Sequence, residues 1–265
     1  MKKISIITVN LNNAANIRRT LDSVSSQTYE NMEWIVVDGA STDGSMDIIN
    51  EYKSRISVLI SEPDTGIYNA MNKGVRHATG EYCLFMNTGD TFVDKRSLEK
   101  AVKTGFDKDL AIFGEYLNDS NKKFFLTPHV INFLSLMMGA FPHQSTFIKR
   151  ELLVKTPYDE SYTLVADWVF FFEELHFQGC TYSVNSLCIS RFYSGGASSV
   201  NDGLDTIGEG KRYLQCHNLS EMVSEMETEP LRTILSILFF EPILYKICFF
   251  LIRCIKKIDS IVFSK

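Results

Sequence analysis

Residues 62–90, EPDTGIYNAMNKGVRHATGEYCLFMNTGD, decide the fold of this chain of 265 residues. A Pro-Asp-Thr-Gly turn leads into a helix over Tyr68 to His77. A buried strand follows from Tyr82 to Met86, and that strand runs out into Asn87-Thr88-Gly89-Asp90. A carboxylate just past the carboxyl end of a strand stands where open α/β sheets bind ligands.

The same punctuation runs upstream. Ile4 to Val9 is a short apolar run that reads as a strand buried on both faces. Asn12 and Asn13 then mark a turn or cap. Ile17, Leu21 and Val24 recur at helical spacing. Glu33 to Val37 is a second strand closed by Asp38-Gly39. Asp43-Gly44 opens another helix with Met46, Ile49 and Tyr52 inward, and Ser57 to Ile60 is a third strand. Strands alternating with helices at this spacing predict parallel βαβ units with right-handed crossovers.

Downstream the pattern loosens from Thr91 to Lys149. Strands are expected at Leu110 to Phe113, Ser145 to Ile148 and Cys180 to Val184, and helices at Phe133 to Met138 and Asp167 to Phe177. Asp205 to Met226 reads as surface helix. Leu231 to Phe263 is apolar but broken by Glu241, Pro242, Lys246 and Arg253. A spanning helix wants about 20 mostly apolar residues without such breaks, so an amphipathic pair at a bilayer surface, or a packing or dimer element, fits better.

Composition sets outer limits. With 45% hydrophobic and 22% charged residues the chain can bury a sizeable core, and a net charge of −5 offers nothing to nucleic acid. Cys83, Cys180, Cys188, Cys216, Cys248 and Cys254 form no C-x-x-C pair, which argues for thiols of a reducing compartment over a zinc or redox centre. The apolar run at the start is too short for a signal peptide, so a cytoplasmic location is expected.

Five places carry candidate chemistry. Asp38 at a strand end can bond a base or ribose, or serve as a turn aspartate. Asn69, Asn72 and Lys73 can present amides and an ammonium to a diphosphate, or form a solvated face. Asp90 can hold Mg²⁺ only together with a phosphorylated ligand, because one carboxylate does not complete the shell of such an ion. Asp167 in Val165-Ala166-Asp167-Trp168 reads as a general base or as a helix cap. His143 in Phe141-Pro142-His143-Gln144 reads as a substrate contact or a packed loop histidine.

Taken together, these residues resemble the family 2 glycosyltransferases with a GT-A fold. The matches are SIITVNLN at the start, Ser25-Ser26-Gln27-Thr28-Tyr29, and the run Glu33 to Gly44. They continue through Glu62-Pro63-Asp64-Thr65-Gly66-Ile67-Tyr68-Asn69-Ala70-Met71-Asn72-Lys73-Gly74, Gly80-Glu81-Tyr82 and Asn87-Thr88-Gly89-Asp90. Within that family the pattern is most similar to the colanic acid type of exopolysaccharide and O-antigen transferases, which share the His-Gln pair and a later Gly-Gly-x-Ser, here Gly195-Gly196-Ala197-Ser198.

The resemblance implies an α/β Rossmann-like mixed sheet flanked by helices. Residues 1–200 would form the catalytic domain, with 1–95 holding the nucleotide and 96–200 the acceptor. Residues 201–265 would form a helical, membrane-associating appendage at the cytoplasmic face of the inner membrane. It implies that Thr8, Asn10, Asp38, Asp64, Asn72, Lys73 and Asn87 serve the donor nucleotide, that Asp90 ligates Mn²⁺ or Mg²⁺, and that Asp167 is the base of an inverting reaction. His143, Gln144 and Trp168 would meet substrate. The implied donor is a UDP-sugar and the implied acceptor a polyprenyl-diphosphate-linked saccharide, with a homo-oligomer as a possible assembly. Asn87 stands where the family usually has the first acid of Asp-x-Asp, and the metal-binding histidine that some relatives carry after the base has no counterpart. Two other classes stay open: a nucleotidyltransferase, whose Gly-rich basic loop is missing after the first strand, and a non-catalytic sugar-nucleotide-binding scaffold.

Overall fold

The structure is a computed structural model that describes residues 2–117, 122–124, 131, 136, 141–193 and 204–217. Described residues up to 210 belong to one compact unit and 211–217 to a second. The expected domain boundary at 200/201, the Gly195–Ser198 segment and the apolar tail lie outside the described residues.

Four parallel strands form the amino-terminal half: β1 (Ile4–Asn10), β2 (Met32–Asp38), β3 (Val58–Ser61) and β4 (Tyr82–Phe85). Helices α1 (Ala14–Ser25), α2 (Ser45–Asn50) and α3 (Ile67–His77) connect them. Every residue of β1 is buried, because helices cover both sheet faces, and this is why the run Ile4 to Val9 does not alternate. Ile17, Leu21 and Val24 are fully buried along one stripe of α1, packed in a cluster with Trp34, Val36 and Leu84. Met46 and Tyr52 pack partly buried against the same cluster, while Ile49 is fully buried within it.

After β4 come β5 (Thr91–Phe92), α4 (Ser97–Lys103), β6 (Leu110–Leu117), β7 (Lys122–Phe124), β8 (Thr146–Lys149), α5 (Arg150–Lys155), α6 (Ala166–Phe172), β9 (Tyr182–Phe192) and α7 (Leu204–Cys216). The nine strands share one mixed sheet in the order β3-β2-β1-β4-β8-β6-β9-β5, with β7 paired to β6. β8 is antiparallel to both β4 and β6, whereas β6 and β9 run parallel.

The sheet runs outward in opposite directions from β1 and β4, so a crevice opens at their carboxyl ends. Asn10 pairs in register with Asp38, and Asp38 with Ser61, so three polar residues end adjacent strands side by side. Met86 and Thr88 donate their N–H groups to Ile7 and Val9, which carries the Asn87–Asp90 turn to the same edge. Gly89 sits at φ 110°, a conformation that favours glycine, and the turn closes with Asp90 N–H on Asn87 O at 3.0 Å.

The second half departs from the sequence expectation in three places. β5 and α4 occupy a stretch in which no periodicity was visible. β9 extends well past the expected Cys180 to Val184. The expected helix Asp167 to Phe177 is α-helical only to Phe172 and continues as a π-helical turn, Glu173–Phe177. Cys83 and Cys188 are buried thiols as expected, Cys180 is half-buried and Cys216 is exposed.

Candidate active site

The Asn87–Asp90 turn and the start of α6 meet through His143. Its Nδ1 lies 3.0 Å from Asp167 Oδ2, and its Nε2 lies 3.3 Å from the Asn87 amide nitrogen. An ionised carboxylate cannot donate, so the proton of the first contact sits on Nδ1, while Nε2 faces the Asn87 amide. A single histidine thus joins the two acidic regions, whereas the sequence reading offered it as a substrate contact or a packed loop histidine.

Asp167 is held on both oxygens. Oδ1 accepts the Tyr68 hydroxyl at 2.8 Å and the Trp168 N–H at 2.9 Å, and Oδ2 accepts from His143. Burial pushes its pKa up, but the His143 and Tyr68 hydrogen bonds outweigh that, and the carboxyl is held below its ordinary value. The Tyr68 phenol is buried beside this carboxylate and its pKa is pushed well up, so it stays a donor.

Asp90 is treated in the opposite way. It is 7% exposed and accepts a hydrogen bond from the Tyr193 N–H at 3.3 Å. Burial raises its pKa to about 7, with His143, the Tyr193 N–H and Arg19 pulling the other way. Two carboxyls within reach of one histidine thus have their pKa values driven in opposite directions. Asp167 is charged and available to accept a proton, whereas Asp90 becomes fully charged when a cation joins it.

Asn87 Oδ1 is buried with no partner among the described residues. Such an oxygen costs about 1–3 kcal/mol unless something meets it. One carboxylate and one spare amide oxygen suit a hard divalent cation whose remaining ligands are phosphate oxygens and water. No group of three or more His, Cys, Asp or Glu able to hold a metal occurs among the described residues, so these two residues do not cage an ion without such a ligand.

Of the other expected donor-binding residues, all but Asp64 are spent on protein partners. Thr8 is fully buried and its hydroxyl accepts the Trp34 indole N–H at 3.1 Å, so its side chain belongs to the core and not to the cleft. Asp38 accepts from Asn10, from the Ser41 N–H and hydroxyl, and from Ser61, which fills its acceptor capacity as in the turn reading. Asn10 donates to Asp38 and Ser41 and accepts from Thr88. These residues shape the floor of the crevice.

Asn72 and Lys73 also differ from the expectation. The Asn72 amide clamps Tyr158 through its N–H and carbonyl and bonds Glu160 at 2.9 Å, and Asn69 bonds Glu160 at 2.8 Å. Glu160 was not singled out from sequence, because a lone surface glutamate gives no signal until its two asparagine partners converge. Lys73 bonds Pro63 O at 2.7 Å and pairs with Glu62 at 2.8 Å, bracing the turn that carries Asp64.

Asp64 keeps capacity. Its Oδ1 accepts the Gly66 N–H at 3.1 Å, and its Oδ2 lies over Gly39, 2.4 Å from where a Cβ would stand. Leu11, 54% exposed, flanks the same glycine. Because Gly39 has no side chain, the Asp64 carboxylate and the exposed Leu11 side chain close directly over its backbone at the end of β2. Gln144 is buried in the 3₁₀ turn His143–Ser145, and Trp168 donates its indole N–H to Leu136 O at 2.6 Å.

The family model described as Glycosyl transferase family 2 matches residues 5–170. A PGL/p-HBAD biosynthesis glycosyltransferase of Mycobacterium tuberculosis (strain ATCC 25177 / H37Ra) is 32% identical over 173 residues, 63% of this chain and 67% of its own length. The putative teichuronic acid biosynthesis glycosyltransferase TuaG of Bacillus subtilis is 34% identical over 111 residues, covering 41% of this chain and 44% of TuaG. Among solved structures, S. aureus TarS 1-349 in complex with UDP-GlcNAc superposes with a TM-score of 0.63 at 18% identity, over 76% of this chain and 61% of that one. The mannosyltransferase PcManGT from Pyrobaculum calidifontis, in complex with GDP-Man and Mn²⁺, gives 0.59 at 21% identity, over 75% and 59%. The chain spans about two thirds or less of the length of each of these proteins.

Proposed function

Since this chain belongs to glycosyl transferase family 2 and has the GT-A fold, we propose that it transfers a hexose or N-acetylhexosamine, with inversion, from a nucleotide sugar to a hydroxyl of a lipid-linked saccharide in bacterial surface polysaccharide synthesis. UDP is the nucleotide favoured by the resemblance. The observation that supports this reading is the Asn87–His143–Asp167 chain, which ties a charged carboxylate to the Asn87–Asp90 turn.

In this reading the nucleoside lies against Leu11, Gly39 and Asp64 at the end of β2, with the movable Asp64 and Leu11 side chains making room for it. The diphosphate lies against the Asn87–Asp90 turn. Asp167 takes the proton of the acceptor hydroxyl as its oxygen attacks the anomeric carbon from the face opposite the diphosphate. The bond from that carbon to the diphosphate oxygen breaks, so an α-linked donor gives a β-glycoside. Tyr68 and His143 hold the carboxylate in place and keep it charged. Asp90 and Asn87 would hold Mn²⁺ or Mg²⁺, which when bound supplies positive charge for the departing diphosphate.

The broken apolar run Leu231 to Phe263, with Lys246, Arg253, Lys256 and Lys257, supports peripheral attachment at the cytoplasmic face of the inner membrane. No helix among the described residues is long and apolar enough to cross a membrane. Truncation after Pro230 is expected to move the protein from the membrane to the soluble fraction, and unchanged partitioning would reject the attachment.

The transferase reading is tested by incubating the protein with UDP-glucose, UDP-galactose, their N-acetylated amines or GDP-mannose, in the presence of Mn²⁺ and a lipid-linked acceptor extract. Acceptor-dependent release of nucleoside diphosphate from at least one donor is expected. Absence of both binding and release across that panel would reject the reading.

A further inference from the structure

Arg19 stands on the second turn of α1, and its neighbour fixes that turn to the site. The Thr20 hydroxyl donates to Asp90 O at 2.9 Å and accepts the Gly89 N–H at 2.9 Å. The Arg19 guanidinium lies over the Tyr193 ring, 4.3 Å from its centroid, and the backbone of Tyr193 is the group that bonds Asp90. Its Nη2 donates to Asn16 Oδ1, and Asn16 is steadied in turn by Asn13 at 2.8 Å.

Held in this way, the side chain has one hydrogen-bond partner among the described residues, Asn16. Nε is buried with no acceptor among the described residues, and Arg19 forms no ion pair there. Arg19 is half-buried, but a buried Nε–H left without an acceptor is costly, and a structural arginine normally satisfies it. Asp90 is near enough to feel the charge but does not pair with it. A stacked, oriented guanidinium with donors to spare, beside an acidic turn suited to a cation, fits a bidentate oxyanion.

Building on the transferase reading above, we propose that Arg19 grips the diphosphate of the nucleotide sugar and carries part of its charge as it departs. Tyr193 is the positioning residue, since its ring aims the guanidinium while its N–H fixes Asp90. The permanent charge of Arg19 offsets the missing acid at Asn87: a site with one carboxylate binds a cation weakly, and the arginine makes diphosphate binding less dependent on that ion.

The test is equilibrium binding of UDP, GDP and dTDP, each against its parent nucleoside, to the wild-type protein, Arg19→Lys and Arg19→Met, with and without Mn²⁺. Arg19→Met is expected to weaken the preferred diphosphate at least tenfold, even without Mn²⁺, while nucleoside binding stays within twofold. Arg19→Lys is expected to fall in between, because an ammonium restores the charge but not the planar fork. Unchanged diphosphate affinity in Arg19→Met would overturn the proposal. Equal loss of nucleoside and diphosphate would also overturn it, as a sign that the pocket had been disturbed. Failure of the wild type to bind any diphosphate would instead sink the transferase reading, and this proposal with it.

Discussion

Nδ1 of His143 lies 3.0 Å from Oδ2 of Asp167, and that contact keeps a buried carboxylate charged. A base must be deprotonated to act, so loss of the contact removes a lowering influence and raises the pKa of Asp167. Replacement His143→Gln is expected to move the acid limb of kcat/KM to higher pH, with a greater loss of rate at pH 6 than at pH 8. A limb that stays in place would show that His143 does not act through Asp167.

Asp90 gives the opposite pH signature in the metal-free protein. Its folded pKa of about 7 lies above the ordinary 3.8, so the folded state binds more protons than the unfolded state between those values. Stability contributed by this group is full at low pH and declines as pH rises from about 4 to about 7. Thermal unfolding of wild type and Asp90→Asn should diverge across that window, with the wild type losing more stability. Parallel curves would remove the buried, strained character assigned to Asp90.

Gly39 is where nucleoside binding and fold stability should separate. An alanine Cβ there would stand 2.4 Å from Asp64 Oδ2 and 3.0 Å from Leu11 Cδ1, and both are movable ends of side chains. Gly39→Ala is therefore expected to shift Tm little while reducing nucleotide affinity about tenfold or more. Titration of UDP alongside a melting curve checks this. A large Tm loss, or intact affinity, would contradict nucleoside binding over Gly39.

Glu33 tests the frame behind the site. Its carboxylate gathers Ser5, Lys3, Thr79 and the Gly80 N–H at the amino-terminal edge of the sheet. Burial opposes these partners, yet the pKa is held at about 2. A depressed folded pKa stabilises above the ordinary 4.5, and that stability is lost as pH falls toward 2. At pH 7 Glu33→Gln is expected to cost about 1–3 kcal/mol, and its deficit should shrink in acid. A constant deficit across that range would contradict the linkage.

The amino-terminal half was legible because its signals are local. Ile4 to Val9 and Glu33 to Val37 are short buried runs, and each ends on a polar residue that stands at the sheet edge. A meeting of Asp90 and Asp167 was expected from the resemblance; what the structure shows is His143 bridging Asn87 of the same turn to Asp167. What stayed hidden depends on contacts distant in the chain. β5 is two residues long and exists through pairing with Ser190 and Arg191. Asn72 and Lys73 looked ready for a diphosphate until Tyr158, Glu160 and Glu62 claimed them. Arg19 gave no signal, because helical spacing does not reveal a guanidinium stacked on a ring from the far end of β9.

The role of Asp167 as base is tested most directly by Asp167→Asn, which keeps the shape of the side chain and removes its ability to take a proton. Turnover, read as acceptor-dependent nucleotide release, should fall about a thousandfold, while donor affinity measured by calorimetry stays within about threefold of wild type. Near-normal turnover in that variant would contradict the assignment of the base and the mechanism built on it.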